Sequence, residues 1–75
     1  MNPVILYHID PVLNMQRFYR MAIQLDLFGK WSLIREYGRI GKPGKLLAVP
    51  YDTKNEAEEA LSEQRQKKER KGYLG

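Results

Sequence analysis

The sequence predicts an α+β fold, in which an antiparallel β-sheet of about four strands packs against one C-terminal α-helix. Three observations support this fold class. Several segments alternate apolar and polar residues with a period of two, turn residues separate them, and the last third begins with a helix-capping pattern. The chain has 75 residues, which is room for a single domain spanning residues 1–75.

The strands are predicted from alternation and from the residues that end each segment. The predicted strands span residues 4–9, 17–25, 31–40 and 45–49. Asp10-Pro11 closes the first strand and residues 11–14 connect it to the second. Residues 26–30, which include Gly29, have the composition of a longer hairpin loop. Residues 41–44 (Gly-Lys-Pro-Gly) form a turn, and Pro50 is predicted to end the fourth strand.

The C-terminal helix is predicted from its capping pattern and its charge gradient. Thr53 and Glu56 have the spacing of a capping box, in which Glu56 reaches back to the start of the helix. Glutamates crowd the first half, Lys and Arg crowd the end, and Gly72 stands at the position that often closes a helix. The apolar stripe is narrow, and the aliphatic stems of Gln64 and Lys68 extend it beyond Ala57, Ala60 and Leu61. The Lys and Arg residues at the helix end are expected to be solvated. We therefore expect the helix to lie against the sheet, with Tyr73 and Leu74 folding back onto it.

Composition excludes several classes of function. The chain has no cysteine and one histidine, His8, so neither a thiolate site nor a histidine pair is available. Lys45 ends a run similar to a phosphate loop, but Leu46 follows it where Ser or Thr is required. Ser32 and Ser62 have no neighbouring histidine in the sequence. We expect no cofactor, no metal and no catalysis, and the lack of a signal or membrane-spanning segment predicts a cytoplasmic protein.

Positive charge is concentrated in the middle of the chain. The formal net charge is +4, yet residues 15–45 alone contain seven Lys or Arg residues and two acids, a net charge of +5. Residues 54–75 contain six basic and five acidic residues, which the helix dipole accounts for. The excess charge therefore belongs to the predicted sheet and its turns.

One strand face combines cations with aromatic rings. Arg35 and Arg39 alternate with Tyr37 and Trp31 on the third strand. Cations contact phosphates and aromatic rings stack on bases or sugars, so this pattern is typical of nucleic-acid binding. The structural alternative is that Trp31 and Leu33 belong to the core and that the arginines are the solvated ends of that face. Trp31 and Phe18 are themselves expected in the core.

The central motif resembles that of a known family. The resemblance rests on an ordered set of residues from about Asn14 to Leu74: Arg17-Phe18-Tyr19, Trp31 to Glu36, Tyr37-Gly38-Arg39-Ile40-Gly41, Gly44, and Lys71-Gly72-Tyr73. This set resembles the WGR domain, with Tyr37 in the position of the motif tryptophan.

The resemblance implies a central antiparallel sheet with one helix and a DNA-binding module. Such modules occur beside catalytic domains in DNA-break-responsive poly(ADP-ribose) polymerases and as small stand-alone bacterial proteins. There the motif Trp packs against the sugar at a DNA end and the Arg contacts the nucleic acid. Gly38 and Arg39 match the motif, and Tyr37 keeps an aromatic ring but loses the indole donor. No ADP-ribosyl transfer is implied.

We therefore expect a non-catalytic module that binds the DNA backbone or DNA ends with little sequence specificity. Ends, nicks and single strands are the candidate forms of DNA, and a DNA-binding protein would associate with the nucleoid. The predicted DNA-binding residues are Tyr37, Gly38, Arg39, Lys42, Lys45, Arg35 and Arg20. The alternative is a protein–protein interaction module that uses the same basic sheet face to dock an acidic partner.

Overall fold

A computed structural model describes residues 3–75 and confirms the α+β fold class. The elements are β1 (Val4–Asp10), β2 (Met15–Leu25), β3 (Trp31–Arg39), β4 (Lys45–Tyr51) and α1 (Lys54–Arg70). The strands form one antiparallel sheet in the order β1-β2-β3-β4, so each strand pairs with its neighbours in the sequence. This meander requires only hairpin connections, as the short predicted loops indicated.

The strand register divides the sheet side chains into two faces. Leu6 pairs with Tyr19, and Ile23 pairs with Leu33, so these side chains point to the same side. We call this side the covered face, because α1 packs against it, and we call the opposite side the open face. Residues one position along each strand, such as Phe18 and Ile34, belong to the open face.

The core lies between the covered face and α1. Its buried members are Leu6, Tyr19, Met21, Ile23, Leu33, Ala57, Leu61 and Tyr73. The small side chain of Ala57, which is fully buried, lets the helix approach the sheet closely. Trp31 packs against this core as a half-buried side chain, with the Lys54 Nζ 5.5 Å from its ring centroid.

Both ends of α1 are closed by local contacts. The Thr53 hydroxyl accepts a hydrogen bond from the Glu56 backbone N–H at 3.2 Å and donates one to Glu56 Oε1 at 3.1 Å. The Glu56 carboxylate thus accepts a hydrogen bond from the Thr53 hydroxyl, whereas in a full capping box it accepts one from the Thr53 backbone N–H. Gly72 has φ +102°, and after it Leu74 pairs with Tyr7 through two backbone hydrogen bonds of 2.7 Å.

Among residues 3–75, no helix combines the length and apolar character needed to span a membrane.

The turn between β1 and β2 occupies residues 11–14, the predicted connection. The Asp10 carboxylate accepts hydrogen bonds from the backbone N–H groups of Val12 and Leu13, at 3.0 and 3.3 Å. Asn14 then takes φ +52°, a conformation that asparagine tolerates better than most residues. The chain therefore reverses within four residues, and β2 begins at Met15, two residues earlier than predicted.

The prediction that Pro50 ends the fourth strand is wrong. Pro50 lies inside β4, opposite Ser32 of β3, and the strand continues to Tyr51. Because β4 is an edge strand of the sheet, a residue without an N–H is tolerated there.

Candidate nucleic-acid interface

Four of the predicted binding residues share the covered face near the end of the sheet that leads into the β3–β4 turn. Arg35, Tyr37 and Arg39 alternate along β3, and Lys45 of β4 is the register partner of Tyr37. Leu33 of the same face is buried in the core, whereas Arg39 and Lys45 are exposed. The covered face therefore changes along β3 from core to accessible surface, and the basic residues lie at the accessible end.

Tyr37 offers part of its ring to that surface. It is half-buried and stacks on the buried Tyr19, with ring centroids 5.5 Å apart and an interplanar angle of 16°. The two residues are register partners on β2 and β3, while Lys45 is the partner of Tyr37 on the opposite side. One ring face is thus occupied by Tyr19, and the other is directed toward the β4 side of the sheet.

The guanidinium of Arg35 is fixed beside the same rings. Its Nη1 donates a hydrogen bond to the Tyr19 hydroxyl at 3.3 Å. Its Nε is buried and has no hydrogen-bond partner. A buried donor without a partner costs free energy, so the position of Arg35 is maintained by its surroundings at some expense to stability.

The last turns of α1 bring further cations to the same place. Lys68 Nζ lies 4.6 Å from the Tyr19 ring centroid and 5.6 Å from that of Tyr73. Burial is the main cause that holds the pKa of Lys68 below its ordinary value of 10.5, and the positive charges of Lys71, Arg35 and Arg17 lower it further. We call Arg17, Arg35, Lys68 and Lys71 the cationic cluster.

No carboxylate neutralises the cationic cluster in the part of the chain that the structure describes. The ion pairs of residues 3–75 are Lys30–Asp52, Lys54–Glu58 and Arg65–Glu69, none of which includes a cluster residue. The cluster therefore combines like charges with partial burial, an arrangement that favours binding of an anion.

Arg39 extends the cluster toward the end of the sheet. Its register partner on β2 is Arg17, so the two exposed arginines lie side by side. Arg39 Nη1 also lies 3.5 Å from the Asn14 carbonyl, at the outer limit of a hydrogen bond. Lys42 is exposed in the turn after β3, where its backbone N–H donates to the Arg39 carbonyl at 3.1 Å. The basic surface thus continues from α1 to Arg39 and Lys45, the residues on either side of the β3–β4 turn.

Gly38 has a structural role that the motif alone does not reveal. A Cβ at Gly38 would lie 3.0 Å from the Gly44 Cα, and one at Gly44 would lie 2.6 Å from the Tyr37 carbonyl oxygen and 2.9 Å from Phe18 Cζ. Gly44 therefore requires glycine so that the β3–β4 turn can fold closely over its own strand, and a side chain at Gly38 would require that turn to shift. Phe18 supports this contact from the open face as a half-buried side chain, so its predicted place in the core is wrong.

The structure separates Arg20 from the other predicted residues. Arg20 pairs with Ile5 and Glu36 on the open face, whereas Tyr37 and Arg39 belong to the covered face. Gly38 also belongs to the open-face register, although it lies between those two residues in the sequence. The motif therefore places its aromatic ring and its arginine on one side of the sheet and its glycine on the other.

The sequence did not single out three members of the basic surface, Arg17, Lys68 and Lys71. The sequence places Lys68 and Lys71 at a solvated helix end, and although the stem of Lys68 is expected to extend the helix stripe from Leu61, its ammonium is not assigned to binding. Arg17 belongs to the basic segment of residues 15–45. Because Arg17 and Tyr19 are two positions apart on one strand, their side chains point to the same face of the sheet.

Two classes of enclosed site are not found among residues 3–75. The described residues contain no group of three or more side chains placed to hold a metal ion, and they enclose no pocket. The cationic cluster and its aromatic neighbours therefore form a surface site.

Comparison with known proteins agrees with this arrangement. The family model described as WGR domain matches residues 2–75. The chain is 34% identical over 65 residues to an uncharacterized protein, y4dW, of Sinorhizobium fredii, an alignment that covers 87% of this chain and 32% of that protein. The chain thus spans about a third of the length of this relative, and no solved structure matches it significantly.

WGR domains are generally nucleic-acid-binding modules without catalytic activity. The match over nearly the whole length and the meander with one packed helix lead to one assignment: the chain belongs to the WGR domain family.

Proposed function

We propose that this chain binds DNA through the cationic cluster and the neighbouring residues Arg39, Lys42 and Lys45, with Tyr37 between them. It contacts the sugar–phosphate backbone and DNA ends, it has little sequence preference, and it performs no catalysis. Nicks and single-stranded segments are further forms that this surface accepts, because they also expose phosphates and unstacked bases.

The observation that carries the proposal is the environment of Lys68. Its ammonium is partly buried and faces three positive side chains, and both effects oppose its charged form. A phosphate placed among Lys68, Arg17 and Arg35 would reverse this unfavourable interaction, since each cation would gain an opposite charge. The protein keeps a surface that is electrostatically unfavourable when free and becomes favourable when an anion binds.

The exposed residues have distinct parts in this proposal. Arg39, at the end of β3, pairs with a phosphate through its guanidinium. Tyr37 stacks on a terminal base or sugar with the ring side that Tyr19 does not occupy. Lys42 and Lys45, both exposed around the β3–β4 turn, supply further phosphate contacts.

Weak sequence preference follows from the kind of contacts that are available. The cationic ends of Lys and Arg on a sheet surface match phosphates, which carry no sequence information. The exposed side of α1 carries Glu56, Glu59 and Glu63, which would meet the phosphates if this helix entered a major groove.

Salt dependence tests the proposal directly. If about four to five phosphates are neutralised, log affinity falls against log salt concentration with a slope of roughly −4. The measurement is fluorescence anisotropy with labelled blunt, nicked and single-stranded DNA at several salt concentrations. A slope near zero, or no binding to any of the three probes, contradicts the proposal.

A matched pair of arginine variants locates the site. Arg39→Ala removes a cation from the proposed surface, and Arg20→Ala removes one from the opposite face of the same sheet. We expect Arg39→Ala to weaken binding and reduce the slope by about 1, whereas Arg20→Ala leaves the slope nearly unchanged. The thermal midpoint of Arg39→Ala should equal that of the wild type, because Arg39 is exposed. Equal effects of the two variants on binding would show that the contact surface is elsewhere.

A further inference from the structure

The open face of the sheet is apolar and has no helix over it. Its side chains come from all four strands: Ile5, Tyr7, Ile9, Gln16, Phe18, Arg20, Ala22, Gln24, Ser32, Ile34, Glu36, Leu46, Ala48 and Pro50. The exposed fraction reaches 66% for Leu46 and 61% for Ile9, and Ile5 and Tyr7 are also exposed. The most exposed apolar side chains lie on the two edge strands, β1 and β4, with Arg20 and Glu36 between them. Exposed apolar side chains gathered on one face are a feature of interaction sites.

The two charges on this face are complementary to each other. Arg20 and Glu36 are the charged side chains of the open face, and they are register partners near its centre. They form no ion pair with each other in the described residues. The face is therefore neutral, while the whole chain carries +4, so the positive charge lies elsewhere on the molecule.

We propose that the open face is the interface of a homodimer, in which it packs against the open face of a second copy. In a two-fold symmetric contact, residue i of one copy meets residue j of the other, and j meets i. Arg20 and Glu36 satisfy this requirement, because each copy supplies one cation and one anion at adjacent positions. Two sheets packed in this way lie about 10 Å apart with their strands about 30° from parallel.

Charge favours a second copy over a nucleic acid or a basic partner. A polyanion would gain little from a neutral apolar surface with one arginine beside a glutamate. Two copies carrying +4 each repel one another least when they meet through a face without excess charge, and the open face meets that condition. The dimer would bury the apolar side chains and leave both cationic clusters facing outward on opposite sides.

The size of the face predicts a weak dimer. Four strands about 4.8 Å apart, each contributing about seven residues at about 3.3 Å, cover roughly 15 by 23 Å. This footprint of about 350 Å² per copy is smaller than the about 800 Å² per partner of a standard specific interface, so the dimer is expected to be weak and to form in the upper part of a range of about 10 to 500 µM protein.

Charge reversal at the two central residues tests the proposal with the full 75-residue chain. Arg20→Glu gives the face two acids and Glu36→Arg gives it two cations, so each variant should lose self-association by about tenfold or more. Mixing the two single variants in equal amounts should restore a dimer, because each copy then meets the opposite charges. The double variant Arg20→Glu/Glu36→Arg should also dimerise. Sedimentation velocity over the stated concentration range measures all four samples, and circular dichroism verifies that each is folded.

A pair of leucine variants tests the apolar part of the interface independently of charge. Leu46→Ser removes an exposed apolar side chain from the open face, whereas Leu27→Ser does so in the β2–β3 loop, where Leu27 is fully exposed. We expect Leu46→Ser to weaken dimerisation and Leu27→Ser to leave it unchanged. Because both side chains are exposed, the monomer fold should tolerate either substitution.

Three results would overturn the proposal. The first is a wild-type chain that stays monomeric at about 500 µM. The second is a mixture of Arg20→Glu with Glu36→Arg that does not restore the dimer, or a dimer that Leu46→Ser and Leu27→Ser weaken to the same extent. The third is a monomeric wild type whose DNA affinity falls on Leu46→Ser, which would assign the open face to nucleic acid. DNA binding by the covered face can fail without affecting any of these measurements.

Discussion

Replacing Lys68 by methionine separates the contribution of the cationic cluster to binding from its contribution to stability. Methionine keeps an unbranched apolar side chain over the Tyr19 ring, where the Lys68 Nζ lies 4.6 Å from the centroid, and removes the positive charge. We expect Lys68→Met to weaken DNA binding while the free protein remains at least as stable. Opposite effects on the two properties are characteristic of a functional charge held in an unfavourable environment.

The expected loss of affinity follows from counterion release. Each phosphate contact contributes about 0.9 to the slope of log affinity against log salt concentration. If Lys68 neutralises one phosphate, the slope changes from roughly −4 to roughly −3, and affinity at about 0.1 M salt falls about eightfold. A cation that contacts no phosphate would leave the slope unchanged.

The expected effect on stability follows from the direction of the Lys68 pKa shift. Because burial and neighbouring charges lower this pKa in the folded state, the unfolded chain binds more protons between the folded pKa and 10.5. Stability of the wild type should therefore gain a contribution as pH rises through this interval, and Lys68→Met should lack that pH-dependent gain. The loss of the cation–π contact with Tyr19, worth about 0.5–1 kcal/mol, partly offsets the relief of repulsion at neutral pH.

Anisotropy titrations at several salt concentrations and thermal melts at several pH values measure both effects. Lys67→Met is the matched control, since Lys67 has the same charge and lies one position earlier on α1, but it is exposed and is not among the charges that lower the Lys68 pKa. If Lys67→Met and Lys68→Met reduce affinity and slope equally, the reasoning is refuted, because general positive charge would then explain binding. A large drop in the thermal midpoint of Lys68→Met would also refute it, by showing that Lys68 stabilises the fold.

Three further predictions concern the scaffold. Gly44→Ala should lower the free energy of unfolding by about 1–3 kcal/mol in urea denaturation, because its Cβ would meet the Tyr37 carbonyl oxygen at 2.6 Å; an unchanged midpoint would contradict this contact. Thr53→Ala should cost about 1 kcal/mol in the same assay, since the hydroxyl caps the Glu56 backbone N–H, and Thr53→Ser should recover most of the loss. The pKa of Asp52 is lowered below 3.8 by its hydrogen bond to Lys30 and the charge of Lys30, so the pair stabilises the protein above this pH. The difference in melting temperature between the wild type and Asp52→Asn should therefore vanish as pH falls through the lowered pKa, and a difference that persists in stronger acid would be inconsistent with this pairing.

The strands and the helix were predictable because their signals are local. Alternation between Arg17 and Leu25 reflects burial on one side of the sheet, and the acidic-to-basic order of α1 follows the helix dipole. The errors arose where a residue's position depends on a neighbouring segment. Pro50 is accepted within β4 because that strand is at the sheet edge. Phe18 lies outside the core because it alternates with Tyr19 along β2, and it is the face of Tyr19 that α1 covers.

The binding surface was only partly predictable for a related reason. Tyr37, Arg39 and Arg35 share a strand, so the sequence period of two groups them correctly. The proximity of Lys68 to Arg17 depends on how α1 crosses the sheet, which no local pattern encodes. Arg20 was grouped with the others by charge alone, although its position in β2 puts it on the opposite face.

The close contact between Gly38 and Gly44 affects how mutational screens of this domain should be interpreted. In Tyr37-Gly38-Arg39, a residue that shapes the backbone stands between two residues that face the proposed ligand. Substitutions at Gly38 would reduce the amount of folded protein and would be scored as binding defects in any assay that does not measure folding. Screens based on cellular DNA association would then overstate the importance of the glycine for recognition. Normalising each signal to the concentration of folded protein separates the two causes.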